Sequence, residues 1–478
     1  MLIIHYKGFN SLTYFYFNVI IGKMKIVREK GMKNIENIKL DPTQVLVLGF
    51  ASVVLIGAML LNLPIASVNG RSIGFLDALF TSTSAVCVTG LVVVDTGTYW
   101  TVFGKTVILI LIQVGGLGFM TMATLFAIVL GRKISLKERL IIQQALNQND
   151  LSGLVRFTQY ILLGTFVIEG IGAVLLSTRF IPELGWSKGI AYSIFHSISA
   201  FCNAGFDIIG QGRSLMPYVT DPIINVTIWL LIILGGIGFS VISEFFTLRN
   251  FKQLSLHSKL VIFITCLLLG MGFVSYLLLE FNNPNTIGEL SFGGKLMASA
   301  FQSITPRTAG FNTIDTSQLT TASKMLTIVF MYIGGSPAST AGGIKTATLG
   351  VILFTVISVI KGREETELFG RRLSRNIVNR SLTIGVIGIG LIVVMAMLLT
   401  ITEGFEFMEI LFETTSALGT VGLSLGITSE LSPLGRVIII IAMFIGRLGP
   451  LTIAFALARQ SRKYKGTIRY PEEKIMVG

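Results

Sequence analysis

Four segments of this 478-residue chain repeat one pattern, and the repetition limits the architecture more than any other feature. They are FTSTSAVCVTGL (80–91), FHSISAFCNAGF (195–206), FQSITPRTAGF (301–311) and FETTSALGTVGL (412–423). Each opens on a Phe and carries small hydroxyl residues two and four positions later: Ser82 and Ser84, Ser197 and Ser199, Ser303 and Thr305, Thr414 and Ser416. Each closes on a Gly followed by a large apolar residue: Gly90-Leu91, Gly205-Phe206, Gly310-Phe311, Gly422-Leu423. The glycines are 115, 105 and 112 residues apart. Such self-similarity means one structural unit used several times. The third copy is one residue shorter between Phe and Gly, so its local geometry must differ.

The units are embedded in apolar sequence. Hydrophobic residues make up 52% of the chain and charged ones 13%, too few charges to cover a soluble protein of this size. Apolar runs long enough for a helix to cross about 30 Å of hydrocarbon recur throughout: Val45–Leu61, Val107–Leu130, Tyr160–Leu176, Ile223–Ile242, Leu260–Leu279, Met325–Tyr332 with Gly350–Ile360, Ile384–Ile401 and Val437–Ala458. They are too numerous for a signal peptide or single anchor. One run precedes each repeated segment and one follows it. The expected fold is therefore an all-α membrane protein of four helix–pore-helix–filter–helix units around one central pore, with eight transmembrane helices. The units span 41–135, 136–250, 251–375 and 376–465, between an N-terminal extension (1–40) and a C-terminal tail (466–478). The net charge of +13 is concentrated before the first span and in 132–156, 249–259, 361–380 and 459–474. Every second loop is basic, which is the positive-inside pattern and puts both termini in the cytoplasm. The charge therefore reports topology, and no nucleic-acid partner is expected.

A dehydrated monovalent cation must exchange its water for oxygens, and rings of backbone carbonyls supply them. Carbonyls can converge on an axis only where the chain adopts unusual φ/ψ values, which Gly permits. Non-helical backbone at membrane depth is tolerated where it is packed in protein or lines a wet cavity. The candidate ion-binding filter is Val88-Thr89-Gly90, Asn203-Ala204-Gly205, Thr308-Ala309-Gly310 and Thr420-Val421-Gly422. It contains no carboxylate, so a divalent site is not indicated, and neutral carbonyls suit a weakly hydrated ion such as potassium. The short helix before each segment would aim its negative end at the pore.

A second motif recurs 25 to 31 residues after the filter glycines: Gly115–Phe119, Gly235–Phe239, Gly334–Pro337 and Gly446–Pro450. Arg447 stands where the other repeats have Gly116, Gly236 and Gly335. A charge at membrane depth is costly and usually faces a cavity; Arg447 is either an electrostatic barrier on the axis or a tie to a pore-helix carbonyl or to Glu413. The third repeat breaks its helix with IGGSPASTAGGIKTAT, 333–348. The candidate gate across the pore comprises Gly334, Gly335, Ser336, Pro337, Ala338, Ser339, Thr340, Ala341, Gly342, Gly343 and Lys345, with Arg447. Arg307 is expected to brace the third filter from behind. Cys87 and Cys202 read as packing residues, His196 and Glu413 as locally bonded, and Glu169 and Glu244 as a possible pair. Three cysteines form no disulfide or metal pattern, and no catalytic motif is present. No enzyme activity is expected.

These residues resemble the Trk/Ktr/HKT superfamily of potassium transporters over about residues 40–465, most of all the membrane subunit of bacterial Ktr systems. The resemblance carries over to Gly90, Gly205, Gly310 and Gly422, to the gate loop 334–345 and to Arg447. It strengthens potassium over sodium. It implies potassium uptake across a bacterial inner membrane, a homodimer with one pore per subunit, and a cytosolic ring resembling KtrA that holds the nucleotide and opens the gate. No covalently bound cofactor is implied, only potassium ions in the pore. Sodium dependence is open. The alternatives are a sodium or unselective monovalent-cation transporter of the same fold and a secondary transporter of an organic solute. The N-terminal stretch around 14–17 is either an interfacial helix or precedes a true start at Met24 or Met32.

Overall fold

The computed structural model describes residues 41–118, 121–124, 136–145, 154–248, 250–457 and 473. The expected N-terminal extension lies outside the described residues, as does all but one residue of the expected tail.

Each repeat begins with a long outer helix: Pro42–Leu61, Leu154–Leu184, Leu256–Glu280 and Arg375–Thr402, of 20, 31, 25 and 28 residues. At about 1.5 Å per residue each is long enough to cross a bilayer. A shorter pore helix follows: Phe75–Val86, Trp186–Phe201, Phe292–Ile304 and Phe407–Gly419. Its 12 to 16 residues carry it only part of the way across. The chain then turns back as the filter strand and enters an inner helix: Val102–Leu117, Pro222–Ile237, Thr321–Tyr332 and Pro433–Leu448. Every inner helix starts on a side-chain cap. Thr101, Asp221, Thr320 and Ser432 accept from the backbone N–H of Gly104, Ile223 and Ile224, Ser323 and Gly435 respectively. Such caps satisfy donors that a helix start leaves free.

Of the eight expected spans, the four outer helices are each long and apolar enough to cross a membrane, and Pro222–Ile237 with Phe239–Leu248 makes a fifth if the bent pair counts as one span. The four outer helices run unbroken. The sequence reading placed a helix break in the third repeat alone, but all four inner helices break. The first, second and fourth end on Gly118 (φ 81°), Gly238 (φ 97°) and Gly449 (φ 84°). At Gly238 the chain turns by 98° into Phe239–Leu248; after Gly449 it continues as Pro450–Leu457. Hydropathy runs straight through these glycines because their neighbours are apolar, whereas a left-handed φ ends the helix. In the third repeat a loop replaces the single glycine and the helix resumes as Thr346–Ile360.

Two smaller elements were not anticipated. Leu136–Ala145 is a helix that precedes the outer helix of the second repeat. Glu367–Leu368 pairs antiparallel with Arg371–Arg372 in a hairpin at the end of the third repeat. Its tip residue Phe369 lies 6.0 Å from the Phe263 ring and 6.1 Å from the Phe354 ring, pinning the hairpin onto Thr346–Ile360.

Candidate selectivity filter and gate

The four filter strands share one backbone conformation. Val88, Asn203, Thr308 and Thr420 have φ of 51°, 56°, 70° and 51°, and the glycines two residues later have 92°, 68°, 80° and 92°. Left-handed residues therefore alternate with ordinary ones in every strand. The sequence reading assigned the unusual backbone to glycine alone; the structure adds four non-glycine positions, each costing on the order of 1–3 kcal/mol. No shared side-chain type marks them, since Val, Asn and Thr all occur.

The glycines close into a ring. A Cβ on Gly90 would lie 2.5 Å from Ala204 O, one on Gly205 2.9 Å from Ala309 O, one on Gly310 2.4 Å from Val421 O, and one on Gly422 2.1 Å from Thr89 O. Each repeat thus abuts the next, and the fourth abuts the first. The four strands surround a single axis, and no side chain fits at any of the four glycines. The buried hydroxyls of Thr89, Thr308 and Thr420 have no hydrogen-bond partner among the described residues.

The paired hydroxyls after each Phe hold the strands. The first of each pair ties the pore helix to its outer helix: Ser82 Oγ donates to Val54 O at 2.7 Å, Ser197 Oγ to Glu169 O at 2.6 Å and Ser303 Oγ to Leu269 O at 2.7 Å. Gly57, Gly172 and Gly272 make room, since a Cβ there would meet these same Oγ atoms at 2.4 to 2.5 Å. In the fourth repeat Thr414 turns back to Ile410 O instead. The second hydroxyl holds the filter. Ser84 and Ser416 accept from Gly90 N and Gly422 N, both at 3.1 Å; Ser199 donates to Phe206 O at 2.7 Å and Thr305 to Phe311 O. Its backbone carbonyl takes the N–H of the residue before the glycine: Thr89 to Ser84 at 2.8 Å, Ala204 to Ser199 at 2.8 Å and Val421 to Ser416 at 2.9 Å. These bonds reach back five residues, as in a Schellman helix end. In the third repeat Ala309 N reaches back only four, to Thr305 O at 3.0 Å. The missing residue is absorbed there.

The interrupted segment of the third repeat crosses beneath this ring. Ser336 N donates to Gly236 O at 2.9 Å, Thr340 N to Gly235 O at 3.2 Å, and Phe239 N to Ala338 O at 2.8 Å. Thr340 Oγ1 reaches Phe201 O at 3.0 Å and meets the Asn203 amide at 3.2 Å. Gly342 lies against Thr420, where a Cβ would come within 2.0 Å of Oγ1. Ala338 takes a left-handed φ of 54°, and Ser336 Oγ closes the loop on Thr346 Oγ1 at 2.8 Å. The loop therefore touches the second and fourth repeats as well as its own.

Arg447 connects it to the first. Its guanidinium donates to Thr340 O in the loop, to Gly115 O, and to Gly116 O at 3.1 Å. The partners are inner-helix and loop carbonyls, neither a pore-helix carbonyl nor Glu413. Glu413 instead accepts from Ser424 Oγ at 2.8 Å and from Thr428 Oγ1. Lys345 turns back on its own loop, donating to Ala341 O at 2.7 Å. Arg307 is buried, and its Nε has no partner among the described residues.

Glu169 and Glu244 are not paired. Glu169 accepts from Gln113 Nε2 at 3.1 Å and from Cys202. Glu244 takes Ser255 N and the hydroxyls of Ser255 and Ser258. His196 bonds locally, to Tyr192 O at 2.8 Å. In the loops leaving the filter, burial first and the Asp95 charge second push the Asp207 carboxyl up to about 6. No group of three or more His, Cys, Asp or Glu gathers to hold a metal among the described residues.

The long apolar outer helices and the fourfold repeat define a multi-pass membrane protein. The sequence matches the TrkH cation transport protein family over residues 7–466. It is 46% identical to Ktr system potassium uptake protein B of Bacillus subtilis over 93% of this chain and 99% of that one. It is 43% identical to the potassium/sodium uptake protein NtpJ of Enterococcus hirae, over 92% of this chain and 98% of the other. The crystal structure of the potassium transporter TrkH from Vibrio parahaemolyticus superposes with a TM-score of 0.70 at 18% identity, covering 88% of this chain and 86% of that one. The chain belongs to the TrkH family of cation transport proteins. That family is one of ion transporters rather than enzymes.

Proposed function

We propose that this chain takes potassium across the membrane through the four-glycine filter, with the loop 334–345 and Arg447 as its gate. The observation that carries this is the closed ring in which each filter glycine abuts the next repeat's carbonyl. It offers neutral oxygens without carboxylates, which suits a cation that sheds its water readily. The hydroxyls of Thr89, Thr308 and Thr420, which have no hydrogen-bond partner among the described residues, supply further oxygens in this reading. The gate reading rests on the loop's contacts with the second and fourth repeats and on Arg447 bonding it to the first. Barrier and tie are one arrangement here: a guanidinium bonded to loop carbonyls beneath the filter also repels a passing cation.

Relatives named as Ktr system proteins support a membrane subunit with a regulatory partner. In this reading the chain is a homodimer in a bacterial inner membrane, both termini are cytoplasmic, and a nucleotide-binding ring resembling KtrA acts on the gate. Potassium in the pore is the only bound ion, and nucleotide stays on the partner. The unit boundaries given above complete the proposal.

The relative named for potassium and sodium uptake keeps a sodium reading in play. Uptake of potassium, rubidium, sodium and lithium into vesicles holding the purified protein separates the two. Potassium and rubidium are expected to outrun sodium and lithium; equal sodium and potassium uptake rejects the potassium assignment.

A further inference from the structure

A cavity of about 150 Å³ adjoins the gate loop. All its lining residues belong to the third and fourth repeats, whereas the glycine ring is built by all four. One wall is Gly343, Ile344 and Lys345 of the loop. The opposite wall is Arg380, Ile384 and Leu391 of the outer helix Arg375–Thr402.

Three observations define its guest. First, the lining is largely apolar: Ile344, Ile384, Leu391, Ile392, Leu418 and Leu451 outweigh the hydroxyls of Thr348 and Thr452, the Tyr332 hydroxyl is already bonded to Gly385 O at 2.5 Å, and the Lys345 ammonium is held by Ala341 O at 2.7 Å. Water needs several free polar partners, while a cavity of this size lined by aliphatic groups accepts a small apolar guest. Second, the wall helix is the least covered of the four outer helices, 22% buried against 33 to 39%. Its other face exposes Val386, Ile389, Val393 and Met397, which in a membrane meet lipid. Third, Arg380 lines the cavity near the start of that helix, is exposed, and has no hydrogen-bond or ion-pair partner among the described residues. A long basic side chain at a helix end reaches the headgroup level and is attracted to anionic lipid.

We propose that this cavity binds a short segment of one acyl chain of an anionic phospholipid of the surrounding bilayer, with Arg380 on the headgroup phosphate. An occupied cavity removes the space into which Gly343–Lys345 would withdraw, so the lipid holds the loop across the pore. This second part rests on the gate reading given above; the binding part does not.

The test uses the full-length protein in phosphatidylcholine vesicles carrying phosphatidylglycerol with a photoactivatable group on its acyl chain. Labelled peptides are mapped by mass spectrometry and rubidium uptake is measured in parallel. Labelling is expected around Ile344, Leu391 and Leu418. Arg380→Gln should lower it about fivefold, the effect of one basic residue at an anionic surface. Ile384→Trp, which fills the cavity and keeps Arg380, should abolish it. Labelling by a phosphatidylcholine probe at the same yield, or labelling that survives Ile384→Trp, means contact with bulk lipid and overturns the proposal. Cross-links from one copy's Ile384 to another copy in place of lipid labelling also overturn it, assigning the face to a second chain. Phosphatidylglycerol is expected to slow uptake by the wild type more than by Arg380→Gln. Specific labelling with no effect on uptake, in protein whose flux is also unmoved by deleting the loop, refutes the gate while the lipid site stands.

Discussion

Alanine at Gly422 should damage selectivity more than alanine at any other filter glycine. Two terms add. The residue has φ of 92°, where a side chain costs about 1–2 kcal/mol. The new Cβ would stand 2.1 Å from Thr89 O, and an ordinary contact needs at least 3.4 Å. Thr89 O belongs to the neighbouring strand, so relief of the overlap displaces an oxygen of the ring itself. Losing one oxygen from a dehydrated cation costs at least as much as one neutral hydrogen bond, about 1 kcal/mol or more. A loss near 1.4 kcal/mol is tenfold in selectivity, so potassium over sodium should fall by about that factor. The assay is competitive rubidium and sodium uptake into vesicles. Overlap also sets an order: Gly310 at 2.4 Å and Gly90 at 2.5 Å follow, and Gly205 at 2.9 Å is mildest. Gly164→Ala, with nothing within 4 Å, is the control. Wild-type selectivity in Gly422→Ala, or Gly205→Ala as the most damaging of the four, would refute the ring.

Other outcomes test separate parts of the structure. Deleting 336–343, or replacing Arg447 by Gln so that its bonds to Thr340 and Gly115 are lost, should raise flux several-fold; unchanged or lower flux in vesicles counts against the gate. Ser84→Ala strands the buried Gly90 N–H and should cost about 1–3 kcal/mol, whereas Ser82→Ala releases a helix carbonyl that keeps its helical bond and should cost about 1 kcal/mol. Thermal unfolding in detergent should rank them in that order, and the reverse order would contradict the anchoring scheme. Asp207 is charged above about pH 6 and neutral below it, so acidifying the filter side through that value removes a negative charge beside the pore entrance and should slow cation uptake. Asp207→Asn should flatten this pH profile; an unaltered profile assigns the effect to another group.

The sequence by itself determined the unit, its fourfold use and the place of its exceptions. Phe, paired hydroxyls and glycine recur at fixed spacing within one short segment, and that local pattern is enough to locate the pore helices, the filter glycines, the broken third helix and Arg447. Hydropathy marked the apolar runs but not their continuity, since Gly118, Gly238 and Gly449 are embedded in apolar neighbours and only their φ shows that the inner helices end there. Tertiary structure alone decided the rest. The left-handed turns at Val88, Asn203, Thr308 and Thr420 have no common residue type, because closure of the ring imposes them rather than local preference. Arg447 was visible as an unpaired charge, but its partners are main-chain carbonyls, and a carbonyl has no sequence signature. The same holds for the glycine ring: four glycines were legible, but that each lies against the next repeat's oxygen is a contact across more than a hundred residues, which only the folded chain brings together.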